Sequence, residues 1–132
     1  MKIWQRTRIV VGWVLQILMA VAFVAIGIGK FRSAFWVRSF AHWGYPDEFR
    51  VVIGLVEAAG GVMLLVPRLT SYAALALGAV MVGASVTHAV WGEMWIRPLP
   101  HLGVLLALAW LRWPQRWRRA RAGVATAQAA HS

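Results

Sequence analysis

Four ionisable residues lie in or beside long apolar stretches, where side chains able to exchange protons are rare: Lys30, Glu57, His88 and His101. Glu57 lies about ten residues inside its stretch, a depth at which a lone charge costs several kcal/mol in hydrocarbon. It must therefore be protonated, paired with a cation or in contact with a wet cavity. We expect the four side chains to converge on one polar pocket, because four short helices have little room to bury separate polar sites.

This residue set suits hydrogen bonding and proton exchange. A quinone needs an apolar slot with donors at its carbonyl oxygens, and Lys30, His88, His101 or a protonated Glu57 could supply them, with Trp91 as a wall. A structural alternative stays open, in which protonated Glu57 hydrogen-bonds a neighbouring helix. Gln16 shares a helical stripe with Lys30, and we interpret it mainly as an interhelical hydrogen-bonding residue.

Metal and thiol chemistry are not predicted. Two imidazoles and a carboxylate can hold zinc or iron, but His88, His101 and Glu57 show no ligand spacing, since each falls on a different predicted helix. The sequence has no cysteine, which excludes disulfides, iron–sulfur ligation and thiol redox chemistry in this chain.

The elements that would position these residues are membrane-spanning helices. Of 132 residues, 61% are hydrophobic and 14% are charged, which is too apolar for a soluble domain of this length. We predict an all-α, four-helix transmembrane bundle, in which Gly54, Ala58 and Gly61 mark a close-packing stripe. The predicted spans are Ile9–Gly29, Pro46–Val66, Thr70–Trp91 and Pro98–Trp113.

The basic residues predict orientation and exclude nucleic acid as a partner. They flank the apolar stretches beside tryptophans, as a membrane interface favours, and do not form a soluble basic face. Nine lysines and arginines fall on the side of the chain ends and Arg68, and five fall on the other side. We therefore expect a multi-pass membrane protein with both termini in the cytoplasm.

Two segments complete the predicted organisation. Residues 31–45 alternate aromatic and basic side chains and are interpreted as an amphipathic segment in the outer interface, with an irregular plugging loop as the alternative. From Ala120 onward the residues are small, polar and aperiodic, which predicts a flexible cytoplasmic tail. The expected division is a transmembrane domain over residues 1–119 and a tail over residues 120–132.

Several short pieces of the sequence, in this order, resemble the DoxX-like family of small bacterial membrane proteins. They are Gly27 to Phe31, Trp43 to Pro46, Gly54 to Gly61, Leu64 to Arg68 and Met81 to His88. The resemblance covers roughly residues 11–110 and implies a four-helix membrane domain. It also implies an association with membrane redox complexes, including a thiosulfate:quinone oxidoreductase subunit, although relatives that use thiol chemistry would be expected to carry cysteines.

Three functional hypotheses follow. The first is a membrane subunit of a redox-associated complex that docks protein partners and holds a quinone. The second is a non-enzymatic scaffold or assembly factor, in which the polar residues only fix helix register. The third is a binder or transporter of a small lipophile, with Glu57 as its contact and a homo-oligomer as the working form.

Overall fold

The structure is a computed structural model that describes residues 2–132, apart from the side chains of residues 114–120. Five α-helices make up most of the fold, and no strand occurs among the described residues, so the all-α prediction is confirmed. The helices are α1 (Ile3–Arg32), α2 (Ala34–His42), α3 (Asp47–Leu64), α4 (Thr70–Val90) and α5 (Leu99–Ala130).

The helix ends follow local sequence signals. Gly44 adopts a φ of 75°, which allows the chain to turn out of α2 before α3 begins. Pro46 precedes the first turn of α3, where Asp47 and Glu48 face the positive end of the helix dipole. At the opposite end of its helix, Lys30 lies in the last turn of α1, where a cation is favoured.

Two helices, α1 and α4, are long and apolar enough to cross a membrane. The apolar part of α5, Leu99–Trp113, is shorter, as the sequence predicted. Helix α3 is long enough at 18 residues, but it carries Asp47, Glu48, Arg50 and Glu57 and is therefore more polar than a simple span. Membrane character thus rests on α1 and α4, and the crossing of α3 and α5 stays a prediction.

Helix pairs α1–α3 and α4–α5 form the main contacts, and α3–α4 and α1–α5 contacts join the pairs. The fully buried centre is aliphatic and aromatic: Phe23, Leu64, Leu77, Leu105 and Leu108. Much of the outward surface is apolar as well, including Val10, Ile17, Leu18 and Val21 on α1. This exposed apolar face suits lipid better than water.

Glycines set the distance between α1 and α3. A Cβ added at Gly27 would lie 2.6 Å from the carbonyl oxygen of Gly54 and 2.6 Å from the amide nitrogen of Ala58. At Gly61 an added Cβ would lie 3.0 Å from the carbonyl oxygen of Ala20. The predicted stripe of Gly54, Ala58 and Gly61 therefore does pack closely against another helix, as small residues permit in membranes.

One segment differs from the sequence prediction, and a second is helical where an irregular loop was the alternative. Helix α5 does not end before Pro114 but continues to Ala130, so the residues from Ala120 onward are helical. A proline removes one backbone donor without forbidding further helix, and alanine, glutamine and arginine beyond it favour helix. The described residues of this extension, 121–130, are exposed, and their flexibility stays a prediction. The aromatic segment after α1 is folded as helix α2, which buries Phe40.

Candidate functional site

The centre of the candidate site is an ion pair between α1 and α3. Nζ of Lys30 donates a hydrogen bond to Oε2 of Glu57 at 2.6 Å, and only 5% and 2% of the two side chains are exposed. The indole ring of Trp36 covers the same ammonium group, with its centroid 3.9 Å from Nζ. Cation–π attraction of this kind grows as the cation loses water. The sequence placed Lys30 and Glu57 in one polar site, and the structure brings them together.

Arg50 belongs to the same assembly, although the sequence analysis did not single it out. Its Nη1 donates to the backbone carbonyl of Lys30, and its Nε and Nη2 donate to Oδ1 of Asp47 at 3.0 and 2.7 Å. The last carbonyls of a helix lack hydrogen-bond partners within the helix. Arg50 supplies a donor for one of them at the end of α1. The spacing of Asp47 and Arg50, three residues apart at the start of α3, was the available signal.

This arrangement can hold and move one proton within a closed environment. The Lys30–Glu57 hydrogen bond can join an ammonium to a carboxylate or, after one proton shifts, an amine to a carboxylic acid. Both forms have zero net charge, so neither leaves an uncompensated buried charge. The Arg50–Asp47 pair stays beside it as a separate, balanced pair. The chemistry available is therefore hydrogen bonding and proton exchange.

His88 lies in a second group of side chains, which we call the Glu93 cluster: His42, Trp43, His88, Trp91 and Glu93. Nδ1 of His88 lies 2.6 Å from Oε2 of Glu93, and Nε1 of Trp43 donates to Oε1 of Glu93 at 3.2 Å. Nε2 of His42 lies 3.7 Å from the same Oε1. The hydrogen bonds of His88 and Trp43 hold the pKa of Glu93 below its usual value.

Trp91 borders the Glu93 cluster, whereas His101 has different surroundings. The exposed ring of Trp91 packs against His42, with centroids 5.0 Å apart. The ring of His101 meets the buried ring of Phe23 edge-on, with centroids 6.0 Å apart. Among the described contacts, neither His88 nor His101 is bonded to Lys30 or Glu57. The structure thus joins two of the four ionisable residues and places the two histidines in other contacts.

Gln16 forms the interhelical hydrogen bonds predicted for it. Its Nε2 donates to the carbonyl oxygen of Leu64 at 2.8 Å and to Oγ1 of Thr70 at 3.1 Å, while Nη2 of Arg112 donates to its Oε1. The side chain is fully buried and connects α1 to the end of α3, the start of α4 and the middle of α5. These contacts give Gln16 a structural role in joining four helices.

No group of three histidine, cysteine or acidic side chains suited to a metal ion occurs in the part of the chain that the structure describes. Comparison with curated proteins and with solved structures gives no match. The family comparison does give one, because the model of the DoxX-like family matches residues 14–112, three quarters of the chain. That range contains α3, α4, the Lys30–Glu57 pair, the Glu93 cluster and Gln16. The chain belongs to the DoxX-like family and is a small membrane protein.

Proposed function

We propose that this protein is an integral membrane subunit of a redox-associated complex and that the Lys30–Glu57 pair takes part in quinone-linked proton exchange there. The observation that carries the proposal is the burial of both members of this pair in a direct 2.6 Å hydrogen bond. Ionisable groups inside membrane helices commonly mark proton relays or ligand sites. The resemblance to a family associated with membrane redox complexes points in the same direction.

The residues around the pair have the chemistry that a quinone head group requires. The Lys30 ammonium can donate a hydrogen bond to a carbonyl oxygen, and Trp36 offers an aromatic face beside it. Glu57 can accept the proton that Lys30 gives up, or it can donate a proton to the quinone. A bound quinone would supply the electron chemistry, for which the chain has no cysteine or described metal cluster.

A second candidate function is that of a non-enzymatic membrane scaffold or assembly factor. It is supported by the mutual neutralisation of Lys30 and Glu57, which satisfies both groups without any ligand. The Gln16 hydrogen bonds join four helices in a similar way. Buried polar contacts of this sort can specify helix register, and a protein partner would then dock elsewhere.

The two functions are distinguished by binding of decylubiquinone to full-length protein in nanodiscs. Under the redox proposal, Glu57→Gln should fold and bind the quinone about tenfold more weakly. Loss of a charge-assisted hydrogen bond at the site lowers the affinity by about that factor. Glu48→Gln is the matched control, since Glu48 is an exposed carboxylate on the same helix. Its affinity should equal that of the wild type.

Three outcomes would reject the redox proposal. If the wild type does not bind the quinone, no quinone-linked role remains. If Lys30→Met/Glu57→Leu binds as the wild type does, the pair does not contact the ligand and the scaffold function is favoured. If a hydrocarbon of similar size without carbonyl groups competes equally, the site is that of a general lipophile binder.

We also propose the finer location. The chain would cross the inner membrane of a bacterial cell four times, with both termini in the cytoplasm. The Lys30–Glu57 pair would then lie in the outer half of the membrane. This arrangement agrees with the distribution of basic residues. In this arrangement α2 lies along the outer interface, as its aromatic and basic composition favours. Partner subunits and a homo-oligomeric form belong to the same proposal.

A further inference from the structure

Two reciprocal arginine–tryptophan contacts connect α1 and α5. The guanidinium of Arg112 on α5 lies 5.4 Å from the ring centroid of Trp13 on α1. In return, the guanidinium of Arg8 on α1 lies 5.5 Å from the ring centroid of Trp110 on α5. Both tryptophans are exposed, as aromatic residues at a membrane–water interface commonly are.

Arg112 retains a buried donor that the chain does not use. Its Nη2 donates to Oε1 of Gln16, but its Nε is shielded from solvent and has no hydrogen-bond partner among the described residues. The guanidinium of Arg112 packs against Gly12, since a Cβ added at Gly12 would lie 3.2 Å from its Nη2. An unpaired buried N–H is unusual in a folded protein, so the described residues do not complete the hydrogen bonds of Arg112.

The charge of Arg112 is also not balanced by any side chain that the structure describes near it. The sequence has only four acidic residues. Asp47 pairs with Arg50, Glu57 with Lys30 and Glu93 with His88, while Glu48 is in the first turn of α3. Arg112 instead contacts Gln16, which bonds to the opposite end of α3 at Leu64. Among the residues that the structure describes, Arg112 therefore has no counter-charge.

We propose that Arg112, together with Arg8, binds the phosphate of an anionic phospholipid headgroup at the end of the α1–α5 contact. A guanidinium presents several N–H donors in one plane and matches the oxygens of a phosphate. Lipid is the expected source because the exposed Trp13 and Trp110 flank the site and exposed apolar side chains such as Val10 adjoin it on α1. Acyl chains would lie along that apolar surface, with the headgroup on the arginines.

The test is lipid preference of the full-length protein, measured by native mass spectrometry and by thermal unfolding in nanodiscs. Nanodiscs of phosphatidylcholine are compared with nanodiscs that also contain phosphatidylglycerol. The wild type should retain phosphatidylglycerol selectively and unfold at a higher temperature when it is present. Arg112→Gln should reduce that preference about tenfold, because it removes a charge-assisted hydrogen bond.

Two further variants keep the test decisive. Arg112→Lys preserves the charge and a donor for Gln16 but lacks the planar set of guanidinium donors, so it should fold and show a weaker preference than the wild type. Arg68→Gln removes one exposed charge from the turn between α3 and α4 and should leave the preference unchanged.

The proposal is overturned if the wild type shows no preference for the anionic lipid. It is also overturned if Arg112→Lys keeps the full preference or if Arg68→Gln loses as much as Arg112→Gln. Inorganic phosphate added to phosphatidylcholine nanodiscs tests the source. An equal thermal shift with phosphate alone would assign the site to a soluble anion and reject the lipid.

Discussion

At the residue scale, the described polar side chains form three local sets of contacts. Lys30 and Glu57 neutralise each other between α1 and α3, and Arg50 completes the end of α1 beside them. His88 is bonded to Glu93 at the edge of the fold. Gln16 is bonded to Leu64 and Thr70 in the core. The Lys30–Glu57 pair and the Gln16 contacts connect helices that are distant in sequence, so both contribute to fixing helix register.

The first prediction concerns the coupling between Lys30 and Glu57. Glu57→Leu leaves a buried ammonium without its counter-charge and should lower the free energy of unfolding by about 3–5 kcal/mol. Lys30→Met/Glu57→Leu removes both charges and should be closer to the wild type than Glu57→Leu is. Unfolding by sodium dodecyl sulfate in mixed micelles measures both changes. A double variant that is less stable than Glu57→Leu would contradict this coupling.

The second prediction concerns Glu93, which lies outside the helices in the turn after α4. Because hydrogen bonds from His88 and then Trp43 lower its pKa, His88→Ala should raise the pKa of Glu93 toward its usual value, and Trp43→Phe should raise it less. Carboxyl carbon shifts of labelled protein, followed by NMR during acid titration, measure this. Equal pKa values in His88→Ala and the wild type would contradict the cause assigned.

The same shift fixes the pH dependence of the Glu93 cluster. A carboxyl whose pKa is lower in the folded state binds its proton more tightly when unfolded. Its contribution to stability is therefore complete above the unfolded pKa and is lost as pH falls through the folded pKa. The contacts of His88 and Trp43 with Glu93 should weaken on that acid side.

At the element scale, the contact between α1 and α3 depends on glycine. The third prediction is that Gly27→Ala destabilises the protein by about 1–3 kcal/mol, since its Cβ would meet the α3 backbone at 2.6 Å and overpacking costs about that much. Gly83→Ala is the control on α4, where an added Cβ meets nothing within 4 Å. It should be neutral or slightly stabilising, because alanine favours helix. Equal effects of the two changes in the detergent unfolding assay would contradict this packing.

The fourth prediction concerns the extension of α5. Residues 121–130 are helical but exposed, so their amides lack protection by packing. Hydrogen exchange should be fast over these residues and slow over α3 and the core of α4. This result would support the division into a transmembrane domain over residues 1–119 and a flexible tail. Slow exchange in the extension would require a partner that covers it.

Sequence patterns predicted the helices well because their determinants are local. Pro46, Asp47 and Glu48 specify the start of α3, and apolar length specifies α1 and α4. The Lys30–Glu57 pair could also be inferred, since both residues had to avoid lipid. The partners of His88 and Arg112 could not, because they depend on which helices become neighbours and on side chains such as Glu93 in turns. The prediction for the end of α5 is wrong because it ends the helix before Pro114, and a proline disfavours helix without always ending it.

At the scale of the whole molecule, we propose that four helices cross the membrane and bury the Lys30–Glu57 pair within it. The composition of α1 and α4 supports two crossings directly. The contact of α3 along α1 and of α5 along α4 favours two more, because a helix packed along a span lies at the same depth. In the proposed arrangement, Lys30 lies against Glu57 and supplies the counter-charge that α3 needs inside the membrane.

The most direct test of that claim is cysteine accessibility, since the chain has no cysteine of its own. Arg38→Cys, Arg68→Cys and Ser132→Cys each introduce one exposed thiol, on α2, on the turn after α3 and at the chain end. A membrane-impermeant maleimide is applied to sealed right-side-out vesicles, before and after permeabilisation. Four crossings predict labelling of Arg38→Cys from outside and of Arg68→Cys and Ser132→Cys only after permeabilisation. Labelling of Arg38→Cys and Arg68→Cys from the same side would show that α3 does not cross and would contradict the account.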